Sequence, residues 1–259
     1  MLREYAIAAR NFLLGGNLST FRFASKPNTA VFYVNECLFT ARLLHPNGDL
    51  PQRDVWEVLG SDSAIPVILK PSLASDWFHA AASWQADLVA LMMLVQIKKP
   101  ATIFEIGTLH GCSALHFALN APHANIFTLD LPSNQKPLLC TTQVDTNLMG
   151  EGQKRALVFD HLPEQHRITC LSGDSATFDF SPFHNSVDVF FIDGAHHYDY
   201  VKNDTLKALQ CAKPGGIVAW HDYGRCGVNG VSRWLNEFRA QGNEIQRIRG
   251  GSLAYMVKV

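Results

Sequence analysis

Asp193, His196, His221 and Asp222 are the residues whose types and positions most readily do chemistry. Asp193 and His196 fall in VFFIDGAHHYDYVKND, from Val189 to Asp204, and His221 and Asp222 in PGGIVAWHDYG, from Pro214 to Gly224. Each pair closes an apolar run. A carboxylate at such a point is costly to bury unless it is paired or holds a metal. An imidazole exchanges its proton near neutral pH. If the two runs are neighbouring strands, their ends bring all four groups to one mouth, where oxygen and imidazole donors suit a divalent ion. The same residues also suit quieter roles, the histidines in a loop and the aspartates in turns or caps.

A second group lies earlier, in FEIGTLHGCSALHFA from Phe104 to Ala118. An apolar stretch ends in Glu105-Ile106-Gly107, a turn closes at Gly111, and Ser113 opens a helical pattern. Glycines let the backbone come close to a ligand, and a helix start offers N–H donors. Asp130 ends the next apolar stretch, about 20 residues on, where dinucleotide folds keep an acid for ribose hydroxyls. The glycine spacing is Gly-x-x-x-Gly, unlike the Gly-x-Gly-x-x-Gly of nicotinamide enzymes, and equally suits a tight structural turn. Gly173-Asp174-Ser175 follows a third apolar stretch, and Asp174 there also suits a helix cap.

The elements that must hold these groups can be read from periodicity. Strands are expected at 102–106, 125–129, 167–171, 187–192 and 216–221, with helices at 77–97, 113–119, around 144–159, at 198–212 and at 231–240. Val187–Ile192 (VDVFFI) is an apolar run broken only by Asp188, as expected for a strand buried on both faces. Residues 244–249 and 252–259 flank Gly250-Gly251 and predict a hairpin with a tight turn. Strands alternating with helices predict an α/β fold, a doubly wound and mostly parallel seven-stranded sheet with a C-terminal antiparallel hairpin. Ligands in such sheets bind at the carboxyl ends of the strands, where all the groups above fall.

Residues 1–78 read as a largely helical extension, with helical spacing at 36–44 and 54–59, and carry no chemical motif; a cap, an oligomerisation arm giving a homo-oligomer, or a substrate-shaping segment all suit it. Residues 79–259 form the α/β domain. The chain has 259 residues, 47% apolar and 17% charged, enough to bury a large core and unlike a disordered chain. Its net charge of -1 gives no field for nucleic acid or an anionic membrane, so neither is an expected partner. Six cysteines without a CxxC pair argue against a zinc site or a disulfide framework. With no secretory signal read at the N-terminus, a reducing, cytoplasmic location is expected. The longest apolar stretch, Leu88 to Ile97, is too short to span a bilayer.

Glu105-x-Gly107 with Gly111 and Ser113, then Asp130, resembles the first motifs of the Rossmann-like S-adenosylmethionine-dependent methyltransferases. The resemblance covers roughly residues 80–259. It implies that the glycine turn lies against the methionine part of the cofactor and that Asp130 holds the ribose. Gly173-Asp174-Ser175 resembles a third element, whose Asp meets the adenine amino group. The cofactor residues so implied are Glu105, Gly107, Gly111, Ser113, Asp130, Asp174 and Ser175.

The later cluster resembles the metal-dependent O-methyltransferases of the catechol and macrolide-sugar types. That resemblance implies Asp193, His221 and Asp222 as ligands of Mg²⁺ or Mn²⁺, and His196 as general base for a hydroxyl on a small-molecule substrate. His221 departs from the pattern, which has a carboxylate there. An imidazole weakens a hard-cation site, tilting it toward Mn²⁺, Fe²⁺ or Zn²⁺ or removing the metal. His197, Tyr198, His110 and Tyr223 are open to substrate binding or to packing. Two other readings stay open: a metal-dependent hydroxylase-like enzyme on the same fold, and a non-catalytic binding protein whose cofactor pocket is filled by side chains.

Overall fold

The computed structural model describes residues 50–59, 65–70, 82–152, 157–225 and 227–259. The chain divides into two units, residues 1–46 and 47–259, and the described residues belong to the second. The helix expected at 36–44 lies outside them.

Eight strands form one sheet: β1 (Gln52–Arg53), β2 (Thr102–Ile106), β3 (Asn125–Asp130), β4 (Ile168–Ser172), β5 (Val187–Ile192), β6 (Ala212–Trp220), β7 (Gln246–Ile248) and β8 (Ala254–Val257). Their order is β1-β7-β8-β6-β5-β2-β3-β4. β6, β5, β2, β3 and β4 run parallel, and β8 pairs antiparallel with both β6 and β7. The expected doubly wound α/β sheet is therefore present, with one strand more than the seven expected. The additional strand, β1, comes from the segment read as an extension and pairs with β7.

The helices are α1 (Val55–Leu59), α2 (Ala82–Lys98), α3 (Cys112–Asn120), α4 (Gln143–Gly152), α5 (Tyr198–Cys211) and α6 (Asn229–Ala240). Strand alternation assigns side chains to two cores. Ile103, Ile126, Val189, Phe191 and Ile217 face one, with Leu91, Met92 and Val95 of α2 and Leu115 and Phe117 of α3. Phe104, Ile106, Phe190, Ile192 and Val218 face the other, with Val201 and Ala208 of α5 and Trp234 and Leu235 of α6. Phe104 stacks on Phe190 with ring centroids 4.9 Å apart. Each fully buried side chain of this size contributes about 1.5–3 kcal/mol. No helix among the described residues is long and apolar enough to cross a membrane. Cys112, Cys140, Cys170 and Cys211 are free thiols.

Two local expectations change. The helix read around 144–159 ends at Gly152, and Phe159 sits in a turn beyond it. The β7–β8 connection is no two-residue turn, since Arg247 pairs with Ala254 and Ile248 N–H donates to the Leu253 carbonyl. The reason is Asp87 of α2. Its carboxylate accepts from Ser252 N–H at 2.8 Å, Ser252 Oγ–H at 2.7 Å and Leu253 N–H at 3.1 Å. A Cβ on Gly251 would lie 1.8 Å from Asp87 Oδ1, so only glycine lets the carboxylate in.

The chain reverses direction across the sheet between β2 and β5, which is the crevice where such sheets take ligands. Register sets what stands there. Ile106 pairs with Leu129 and with Ile192, and Ile192 pairs with Trp220. The next residues, Gly107, Asp130, Asp193 and His221, therefore emerge side by side.

Candidate active site

A cavity of about 650 Å³ opens at these strand ends. Ligand pockets commonly span about 300–1,000 Å³. Gly107, Ser113, Asp130, Asp174, Ser175, Asp193, His196, His221 and Asp222 all line it. The structure thus brings together the two groups that the sequence offered separately.

Backbone bonds past the strands build the rim. Gly107 N–H donates to Leu129, Asp193 N–H to Ile106, Gly173 N–H to Asp130 and His221 N–H to Ile192. Gly107 has φ 102°, and a Cβ there would stand 2.1 Å from the Asp193 carbonyl oxygen. Glycine is what allows the ends of β2 and β5 to close on each other. Leu109 in the same turn also holds a left-handed φ, 47°, which is uncommon for its type. Its N–H donates to Asp130 Oδ2 at 3.0 Å, and this bond helps hold the conformation.

Asp130 is exposed at the mouth of the cavity and also accepts from Leu131 N–H at 2.9 Å, leaving carboxylate lone pairs for a ligand. Asp174 is buried and accepts from Leu138 N–H and Tyr200 O–H, both at 2.8 Å, and from Ala176 N–H at 2.9 Å. It is both a turn-forming residue and a cavity wall, so the two readings of it coexist. Ser175 stands beside it.

Glu105 and Gly111 differ from the other expected cofactor residues in not lining the cavity. Glu105 is fully buried behind the turn, accepting from Ser113 Oγ–H and from Thr128 Oγ–H at 2.7 Å. Burial raises its pKa to about 8, against the lowering effect of those two hydroxyls. Gly111 has φ 75°, and a Cβ there would strike the Phe159 ring. These two residues shape the turn from behind.

At the other end, His196 is held between two carboxylates. Its Nδ1 lies 2.5 Å from Asp145 Oδ1 and its Nε2 2.7 Å from Asp222 Oδ2. Burial alone would depress its pKa, but the bonds and charges of Asp145 and Asp222 raise it to about 10. In this state His196 is an imidazolium. Asp145 was not among the expected site residues. Thr142 and Asp145 form a capping box at the start of α4: Thr142 N–H donates to Asp145 Oδ2 at 2.7 Å, and Asp145 N–H donates to Thr142 Oγ1 at 3.1 Å. The Thr-x-x-Asp pattern was legible as a helix start, though nothing in it points to His196.

His221 is buried among three carboxylates. Its Nδ1 lies 3.2 Å from both Asp193 Oδ1 and Asp222 Oδ1. Its Nε2 faces Asp87 Oδ2 at 3.2 Å, an ion pair without hydrogen-bond geometry. Burial opposes its charged form, but Asp222 and Asp193 outweigh this and raise its pKa well above the ordinary histidine value. Asp222 itself has φ 66°, a left-handed conformation that aspartate tolerates. It also accepts from Arg225 Nη1 at 2.6 Å. Burial works against its ionised form, but His221 and His196 hold its carboxyl well below the usual carboxylate range.

The remaining candidates are mostly structural. His197 caps α5, accepting from Asp199 N–H, and Tyr198 O–H donates to Glu237. Tyr223 is buried, donating to Asn236 and accepting from Leu50 N–H. His110 does line the cavity.

Residues 104–223 match the family model described as a methyltransferase domain. The match spans less than half of the chain and agrees with the motif resemblance. No curated protein matches the chain. Among solved structures, the chain is similar to the O-methyltransferase TomG of Streptomyces achromogenes, involved in tomaymycin synthesis and solved with S-adenosylmethionine. The identity is 17%, the match covers 89% of this chain and 98% of that one, and the TM-score is 0.48. It is also similar to the Podospora anserina methyltransferase PaMTH1 bound to S-adenosylhomocysteine, at 16% identity over 71% of this chain and 85% of that one, TM-score 0.47. A Bacillus cereus O-methyltransferase in complex with S-adenosylhomocysteine matches at 17% identity over 67% and 81%, TM-score 0.45.

Proposed function

We propose that this methyltransferase domain uses S-adenosylmethionine to methylate a hydroxyl of a small molecule. The observation that carries the reading is the single cavity whose one end is lined by Gly107, Asp130 and Asp174 and whose other end is lined by His196 and Asp222. A binding half and a proton-handling half share one space. That space is open, which speaks against a fold kept only as a filled, non-catalytic module.

Bound S-adenosylmethionine supplies an electrophilic methyl group on a sulfonium. Asp130 would hold the ribose hydroxyls with its remaining lone pairs, and Asp174 and Ser175 would hold the base. Glu105 keeps the turn in shape through Ser113 and Thr128. The acceptor hydroxyl enters between His196 Nε2 and Asp222. This separates the two groups and removes part of what holds the imidazole protonated. The proton on Nε2 leaves to solvent, and His196, still aimed by Asp145, takes the hydroxyl proton. Positioning supplies much of the remaining rate. Residues 1–78 remain the proposed shaping or oligomerisation segment, and the free thiols are consistent with a reducing, cytoplasmic setting.

The test is transfer of a labelled methyl group from S-adenosylmethionine to a panel of catechols and glycosides, with the product identified by mass spectrometry. Methyl on an acceptor oxygen, lost in His196→Ala, supports the reading. Methyl on nitrogen or carbon, or transfer unaffected by His196→Ala, contradicts it.

A further inference from the structure

The carboxylates at the ends of β5 and β6 have the makings of a cation site. Asp193, His196 and Asp222 each place one ligand atom within 4.8 Å of the others. A divalent ion needs those lone pairs free and directed at one point. They are not free. Asp222 Oδ2 receives His196 Nε2 at 2.7 Å, and Asp222 Oδ1 receives Arg225 Nη1 at 2.6 Å and faces His221 Nδ1 at 3.2 Å. Asp193 Oδ1 faces that same His221 nitrogen at 3.2 Å.

We infer that the protein supplies its own cation at this point, with Arg225 and His221 standing where a divalent metal would bridge Asp193 and Asp222, and that the site is metal-independent. Three observations carry this. Arg225 is charged at any working pH, and its guanidinium is a fixed fork that matches a carboxylate. His221 Nδ1 stands 3.2 Å from both Asp193 Oδ1 and Asp222 Oδ1, the point between the two carboxylates, and Asp87 lies 3.2 Å from its other nitrogen. Asp87, reaching in from α2, is itself anchored by Ser252 and Leu253 of the β7–β8 loop. That clamp keeps His221 from turning aside. A metal would have to break the contacts of Arg225, His196 and His221 with Asp222 together.

The inference concerns the donor set and does not need the proposed reaction, so its test reads metal directly. Wild-type protein is dialysed against chelator and titrated with Mn²⁺, followed by calorimetry and by the electron paramagnetic resonance signal of free Mn²⁺. The expected result is no saturable site at or below about 1 mM. In the Arg225→Ala/His221→Ala double variant, Asp193 and Asp222 are released, and Mn²⁺ binding at least tenfold tighter is expected. Stoichiometric Mn²⁺ binding by the wild type that disappears in Asp222→Asn would overturn the inference. The wild-type titration decides even if the double variant does not fold. Failure of methyl transfer to every acceptor would sink the proposed function and leave the titration result standing.

Discussion

Asp145 grips His196 twice. Its carboxylate accepts from the His196 backbone N–H at 3.1 Å and lies 2.5 Å from the ring Nδ1. The first bond fixes where the loop after β5 sits, and the second fixes how the imidazole is turned. Because Asp145 is locked in a capping box with Thr142, the orientation of His196 depends on the start of α4. Asp145→Asn keeps the shape but can return a donor to Nδ1 and removes the charge. At the high-pH plateau, where the base is free in both proteins, turnover is expected to fall by about 10²-fold, within the range for lost general-base function, with S-adenosylmethionine affinity within threefold of wild type. Unchanged turnover would remove Asp145 from the mechanism.

The pH profile follows from the two carboxylates around His196. Its pKa is raised to about 10, so the free protein holds it protonated at neutral pH. A protonated imidazole cannot accept a proton. With a glycoside acceptor, whose hydroxyl does not ionise in this range, kcat/KM should climb roughly tenfold per pH unit from about pH 7 toward 10. In Asp145→Asn the plateau should be reached at lower pH. A plateau already at pH 7 in the wild type would contradict the assignment. His196→Ala should cost about 10²–10⁴-fold in turnover. His197→Ala should cost far less, because His197 caps α5 instead.

Much of this arrangement was legible in the chain itself, for physical reasons that differ by residue. Val187–Ile192 is buried at every position but Asp188, so it is apolar elsewhere and its end marks Asp193. Asp130 ends β3, and Asp174 follows β4, an outer strand with more exposed residues. Asp87 and Asp145 are far from the cluster in sequence, and their contacts arise only when helices dock on the sheet. Asp87 did leave a trace, as the single acid of a largely apolar helix. The Gly250-Gly251 pair signalled a turn correctly, but not its length, because the cause is the Asp87 carboxylate inserted from α2. Arg225 matches no motif, and its role appears only through Asp222.

Glu105 yields a stability prediction with a definite sign. Burial raises its folded pKa to about 8 from its ordinary 4.5. Its contribution is fully present below the unfolded pKa and is lost as pH rises through the folded one. Between about pH 4.5 and 8 the wild type should lose roughly 1.4 kcal/mol per pH unit from this group. Glu105→Gln mimics the neutral acid. Urea denaturation at pH 5.5 and 8 should therefore show a smaller drop for Glu105→Gln than for wild type. Equal drops would mean that Glu105 is ionised where it sits.

Gly107→Ala tests how closely β2 and β5 must approach. The added methyl meets the Asp193 carbonyl at 2.1 Å, a backbone atom that cannot swing away. A loss of about 1–3 kcal/mol in stability is expected, with weakened cofactor binding because the loop bearing Asp193 is pushed out. Thermal denaturation and calorimetry measure the two effects. A variant as stable as wild type would show that the strand ends are looser than described.

The most direct test of the central claim is calorimetric titration of S-adenosylmethionine into the chelator-treated protein, beside Asp130→Ala. The account predicts saturable binding at one site per chain, weakened by about 10- to 150-fold in the variant. That is the size expected when a charge-assisted hydrogen bond of roughly 1.5–3 kcal/mol is removed. No saturable binding to the wild type, or equal affinity in Asp130→Ala, would contradict it.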